Sequence, residues 1–276
     1  MSHKVAVPVA QDRAFAPRSR FMSSQSLQPA APLEPETIFA PGSELGDASA
    51  MPAQRLADVP GWLYLAREFD ALYRYGSAGG SKLIRGHRKR VREALSKTIE
   101  SNPEVLTRDA QIKPVTAHLP RALDLGGRGA MADMARALGH VAPLLTWEYG
   151  YEKVPRALAR KYAYCEILGP RGPVRSERLV LGFVLFAPRT TYPQHSHQEI
   201  EESYISVAGA WSENDVAVHA PGSLILNRAE HEHRITTADT EPCLLAYAWV
   251  GPEERLTSPG MKLTAGRRKA RMAQGI

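Results

Sequence analysis

The chain reads as a mainly β fold, an antiparallel barrel of many short strands with a helical region in front of it. Three observations predict this. From about residue 144 the sequence breaks into short β-branched or aromatic runs punctuated by Gly or Pro, among them RKYAYCEILG, RLVLGFVLFAP, ESYISVAGAW and CLLAYAWVG, the pattern of an all-β domain. Ahead of them, from Trp62, apolar residues recur at helical spacing instead. The third is a histidine pair two residues apart, His195 and His197, on a strand-like stretch, where both side chains reach one face and can grip one ion.

Residues 1–58 are rich in Pro, Ala, Ser and Gln without apolar periodicity, which predicts a disordered arm. Residues 59–143 predict a helical cap. WLYLAREFDALYRY places Leu63, Ala66, Phe69 or Asp70, and Tyr73 on one side and stops at Gly76. A second helix is expected over Lys82–Ile99, ending before Asn102-Pro103, and a third over ADMARALGHV. Residues 144–256 predict the barrel, beginning with TWEYGY, which holds Trp147 and Tyr149. Residues 257–276 form a basic tail.

Composition narrows the function classes. The 276 residues suffice for one well-buried domain with appendages, and 43% hydrophobic with 23% charged residues is ordinary for a soluble protein. No apolar run approaches the roughly 20 residues that span a bilayer, and the N-terminus lacks a signal-peptide core. Cys165 and Cys243 each sit in an apolar run, as buried reduced thiols of a cytoplasmic protein would. The net charge of +6 is concentrated at Lys82, Arg85, Arg88, Lys89, Arg90 and Arg92, and at Arg267, Arg268, Lys269 and Arg271. Neither cluster has an aromatic platform, so a solvated face or small-anion site is expected rather than nucleic-acid binding.

The stretch YPQHSHQEIEESYISVAG, residues 192–209, carries the chemistry. Beyond the two histidines, Glu202 and Tyr204 share a strand face, and Gly209 ends the run. Two imidazoles and a carboxylate suit one divalent transition metal, and the phenol adds an acid/base group.

The order H-x-H, four residues, E, six residues, G resembles the first metal motif of the cupin family. GSLILNRAEHEH puts His233 eleven positions after Gly222, the spacing of that family's second motif, with Arg228 and Glu230 where many cupins carry Pro and Gly. The resemblance implies a double-stranded β-helix (jelly-roll) barrel with His195, His197, Glu202 and His233 as metal ligands. Glu201 is the rival of Glu202, because the motif tolerates three or four intervening residues; strand parity favours Glu202. His231 shares a face with His233 and is placed at the rim.

Tyr-Pro-x-His-x-His, Glu-x-Tyr, HRITT and LLAYAWVG further resemble the cupin-type dimethylsulfoniopropionate lyases, over roughly residues 60–265. One departure is the spacer before Glu202, four residues where that pattern has three. The resemblance implies β-elimination of a small zwitterionic sulfonium substrate, with Zn, Mn or Fe binding its carboxylate. Tyr204 is then the base, and Tyr192 a second candidate as base or carboxylate clamp. A sulfonium offers no hydrogen-bond donor, so aromatic faces should hold it; Trp211, Tyr247 and Trp249 lie on the expected barrel strands. Two other classes share the ligand set, an iron-dependent cupin dioxygenase and a non-catalytic ligand sensor. The cap either shields the cavity mouth or forms a homodimer interface.

Overall fold

Helices fill the first half of the described chain because their apolar residues return every three or four positions. A computed structural model describes residues 53–75, 80–151, 153–259 and the backbone of 262–263. Helix α1 (Pro60–Tyr75) buries Trp62, Leu65, Ala66, Phe69, Leu72 and Tyr73, one continuous stripe. Helix α2 (Lys82–Glu100) starts where the Ser81 hydroxyl accepts the Ile84 amide, and it buries His87, Val91 and Leu95 at i, i+4, i+8. Lys82, Arg85, Lys89, Arg90 and Lys97 of this helix are exposed, whereas Arg88 turns to α1 and donates to the Tyr73 carbonyl at 3.0 Å. Helices α3 (Leu119–Gly126), α4 (Ala132–Val141) and the short α5 (Arg156–Ala159) follow; α4 coincides with ADMARALGHV.

The strands are β1 (Tyr162–Gly169), β2 (Val174–Arg175), β3 (Val180–Phe186), β4 (Thr191–Ser196), β5 (Glu201–Ala208), β6 (Trp211–Glu213), β7 (Ala217–His219), β8 (Leu224–Asn227), β9 (His233–Thr237), β10 (Cys243–Val250) and β11 (Lys262–Leu263), with helix α6 (Glu253–Thr257) before the last. They form a six-stranded sheet in the order β2-β1-β3-β10-β5-β8 and a five-stranded sheet in the order β11-β4-β9-β6-β7. This is the double-sheet jelly roll of a cupin. Crossovers such as β5 beside both β10 and β8 bring residues distant in sequence to one cavity.

The central strands β3 and β10 of the large sheet are buried on both faces, which explains their unbroken apolar sequences. Leu181, Phe183 and Leu185 of β3 join the cap core, whereas Val180, Val184 and Phe186 join a second core inside the barrel. Phe69 of α1 meets Phe183 edge-on at 5.3 Å between ring centroids, tying cap to sheet.

Three expectations need correction. Residues 53–58 belong to the folded unit, because Arg55 bridges to Glu104 and Leu56 is wholly buried; residues 1–52 of the expected arm lie outside the described residues. TWEYGY makes only isolated bridges, Gln111–Thr146 and Glu148–Tyr164. Trp147 there is buried in the cap-side core, so burial rather than strand pairing explains its apolar character. Within the expected tail, Lys262–Leu263 pair with Ser196–His195 as an edge strand, while the basic cluster at 267–271 lies outside the described residues. Among the described residues no helix is long and apolar enough to cross a membrane.

Candidate metal centre

Strand pairing assembles the centre from two sheets. His195 of β4 and His233 of β9 are direct register partners, so their side chains share a face. Glu202 comes from β5 of the larger sheet, and His197 follows the end of β4. The four buried residues each offer one ligating atom, and those atoms lie within 4.8 Å of one another. Glu201 points the other way, where its carboxylate meets His87 Nδ1 at 3.2 Å and the Arg90 guanidinium. His231 is exposed at the rim.

The loops show how the departures from the family pattern are accommodated. The four-residue spacer turns through Glu199, at φ 57°, and Glu230 has φ 64° where many cupins carry Gly. Both are left-handed positions, at about 1–2 kcal/mol for a residue with a Cβ. The backbone conformation survives without the glycine.

Hydrogen bonds aim the imidazoles. His195 Nδ1 donates to the Pro193 carbonyl at 2.9 Å, and His233 Nδ1 donates to the His231 carbonyl at 3.1 Å. A carbonyl only accepts, so Nδ1 carries the proton in both rings and the Nε2 lone pair is left for an ion. Glu202 Oε1 accepts the Trp249 indole N–H at 2.7 Å. Its Oε2 lies 3.1 Å from His197 Nε2 and 3.0 Å from His233 Nε2, yet these three atoms have no hydrogen-bond partner. Leaving such buried atoms unpaired costs about 1–3 kcal/mol each. One cation at their common focus would satisfy all of them, so the residues fit a metal, and three imidazoles with a carboxylate suit a divalent transition ion.

The electrostatics agree. Burial lowers the His195 imidazole to about 3, and the charge of His233 adds to this, leaving the neutral ring a ligand must be. Burial alone would raise Glu202, but His197 and His233 outweigh it and hold the carboxyl well below its usual range. Burial would likewise lower His233, and the Glu202 carboxylate overrides it upward. Tyr204 is pushed well above 10, first by burial and then by Glu202 beside it. Tyr192 is also pushed well up, by burial and then by Tyr151 and Tyr162. A dication next to a phenol works in the opposite direction.

A small cavity opens beside the centre. Tyr192, Tyr204, Tyr247 and Trp249 line it, together with Tyr162, Tyr164 and Phe186, which sequence reasoning missed. The signal was present in the YAY alternation of β1, but a strand buried on both faces does not announce which parity looks inward. Tyr192 and His195 share the cavity despite odd spacing because the β4–β9 register shifts between them, around Pro193, as suits a bulge. Trp211 is the correction. Its strand lies beyond β9 in the smaller sheet, and its ring packs against Tyr204 and His219 at centroid distances of 5.7 and 4.9 Å, outside the cavity lining. Among the described residues no Lys or Arg lines the cavity, and Glu202 is the one acidic residue that does.

A jelly-roll barrel with an inward-facing His, His, Glu, His set defines a cupin with a candidate metal centre. The family model for dimethylsulfoniopropionate lyases matches residues 87–245, more than half of the chain. A relative from Cereibacter sphaeroides that bears the name dimethylsulfoniopropionate lyase DddL is 73% identical over 222 residues, covering 80% of this chain and 95% of the relative. The chain belongs to the dimethylsulfoniopropionate lyase family. Among solved structures, the lyase DddQ from Ruegeria pomeroyi is similar with TM-score 0.56 at 21% identity, over 74% of this chain and 96% of that one. A structure described for the lyases RdDddP and RnDddQII is similar with TM-score 0.54 at 21% identity, over 74% and 98%. At that identity the likeness speaks for the fold.

Proposed function

We propose that this chain cleaves dimethylsulfoniopropionate by β-elimination, releasing dimethyl sulfide and acrylate. The observation that carries this reading is one cavity bordered by the ligand cluster, by Tyr192 and Tyr204 and by further aromatic walls, with no Lys or Arg among the described residues that line it. Aromatic faces attract a sulfonium that offers no hydrogen, and Tyr162, Tyr164, Phe186, Tyr247 and Trp249 supply them.

Tyr204 is the base. It lies on β5 two residues from Glu202 and lines the same cavity. Its phenolate oxygen takes the proton from the carbon next to the substrate carboxylate. The C–H electron pair becomes the new double bond, the β-carbon–sulfur bond breaks, and its pair leaves on neutral dimethyl sulfide. Tyr192, on the adjoining wall, orients the carboxylate. His195, His197, Glu202 and His233 would hold a Zn, Mn or Fe ion, which would supply Lewis-acid charge for the substrate carboxylate and favour ionised Tyr204. The ring of buried side chains keeps water from the reacting carbons. Two buried cysteines without a disulfide suit a cytoplasmic enzyme.

The test is anaerobic incubation of metal-loaded protein with dimethylsulfoniopropionate, following headspace dimethyl sulfide and dissolved acrylate. Equal amounts of both products, formed without oxygen, are expected. A requirement for oxygen would favour iron dioxygenase chemistry, and no product from metal-loaded protein would rule out this substrate.

A further inference from the structure

Behind the metal-bearing strand, on the face turned to the cap, lies a second buried polar cluster. Tyr73 of α1 places its hydroxyl 2.7 Å from Ser203 Oγ. His87 of α2 places Nε2 2.8 Å from the same oxygen and Nδ1 3.2 Å from Glu201 Oε2, which also takes Arg90. Glu201 and Ser203 are the two neighbours of Glu202, turned to the opposite face by strand alternation.

The direction of every bond follows from the donors available. A carboxylate only accepts, so His87 Nδ1 carries the proton and donates to Glu201. Nε2 of the neutral ring then accepts the Ser203 O–H, and Ser203 Oγ accepts the Tyr73 O–H. None of these atoms is left without a partner, unlike those of the metal cluster. The order acid, imidazole, hydroxyl resembles a nucleophile triad, but His87 and Ser203 are 0% exposed, so no substrate reaches the oxygen.

We infer that His87 is a positioning residue for the metal: through Ser203 and Glu201 it pins the two residues flanking Glu202, and so fixes the carboxylate at the ligand cluster. The surrounding interface is apolar, with Val91 and Leu95 on α2 and Ile205 and Val207 on β5 in one core. Apolar contact is non-directional and tolerates small slips of a strand against a helix. Hydrogen bonds at fixed atoms do not, and a fully satisfied buried network specifies one arrangement. From the cavity side, Glu202 is held by the Trp249 N–H; from behind, its strand is held by the cap. The helical region is therefore part of the metal centre's construction, not a detachable cover.

The test compares His87→Phe, which fills the space without hydrogen bonds, His87→Gln, whose amide can reach Ser203, and Ser203→Ala. For each, Co²⁺ affinity is measured by chelator competition, the Co²⁺ ligand-field absorption is recorded, and melting of the metal-free protein is followed as a control. The expected result is affinity about 10–100-fold weaker in His87→Phe, the range for losing a partner that orients a ligand. Its absorption bands should shift, Ser203→Ala should change in the same direction, and His87→Gln should recover most of the loss. Native spectra and affinities within about threefold in both His87→Phe and Ser203→Ala would overturn the inference. If His87→Phe fails to fold, Ser203→Ala decides by the same readouts. The activity arm, kcat for dimethyl sulfide release, rests on the lyase reading; the metal arm rests on the ligand set alone. Wild type that binds Co²⁺ but releases no dimethyl sulfide would sink the lyase reading and leave the positioning role to be judged on affinity and spectrum.

Discussion

The two faces of the six-stranded sheet carry different chemistry on the same strands. Toward the cap, β1, β3, β5 and β10 present Ala163, Cys165, Phe183, Leu185, Val207, Leu244 and Ala246, largely aliphatic and small. Toward the barrel interior the intervening residues are Tyr162, Tyr164, Phe186, Glu202, Tyr204, Tyr247 and Trp249. Both faces exclude water, so burial alone does not distinguish a core from a site. What separates them is the aromatic content and the orphaned polar atoms. The cap face completes its few hydrogen bonds internally, whereas the cavity face leaves Glu202 Oε2, His197 Nε2 and His233 Nε2 unpaired.

Substitutions on opposite faces should therefore fail in different ways. The largest effect is expected of Glu202→Gln, which removes an anionic ligand; metal analysis should show the ion lost and dimethyl sulfide release abolished. A Glu202→Gln protein that keeps metal and turns over would place the centre elsewhere. On the cap face, Phe183→Ala should cost about 3–5 kcal/mol of stability, as large-to-small core changes do. Denaturant titration measures that loss, while KM should stay near wild type. Acidification should act through the cavity face. Because His195 in the fold sits near 3, below its ordinary 6.5, the unfolded chain takes the proton first. The stability this imparts is complete above pH 6.5 and drains away as pH falls toward 3. Glu202, also held low, adds in the same direction. Melting temperature of the metal-free protein against pH checks the sign; flat melting across that range would contradict it. The smallest effect is expected of Phe186→Leu, which removes one aromatic face worth about 0.5–2 kcal/mol to a cation. KM should rise by the corresponding factor, roughly 2–30, with the metal retained. If Phe186→Leu melts early with unchanged KM, and Phe183→Ala does the reverse, the contrast between the faces is wrong.

The metal cluster was legible in the sequence because its logic is local. The cupin motif spacing names His195, His197, Glu202 and His233, and strand parity favours Glu202 over Glu201, although the four come together from two sheets. Helices α1, α2 and α4 were legible for the same reason, since a helix prints its period within a few residues. What stayed hidden depends on the other side of the sheet. VLGFVLF of β3 is apolar at every position, so nothing local says that Phe186 looks into the cavity and Phe183 away from it. Trp211 was misplaced because its strand lies beyond β9 in the smaller sheet, one strand further from β4 and its ligands, a fact set by crossovers. His87 was invisible because a lone histidine among arginines carries no signal until α2 packs behind β5.

The central claim is that the cavity face performs an elimination with Tyr204 as its base, and Tyr204→Phe tests it most directly. The variant removes one oxygen and should keep wild-type metal content and melting temperature. Its rate of anaerobic dimethyl sulfide release should fall by about 10²–10⁴-fold, the usual contribution of a positioned acid or base. A metal-loaded Tyr204→Phe protein releasing dimethyl sulfide at close to the wild-type rate would contradict the claim and move the base to another group, with Tyr192 the next to replace.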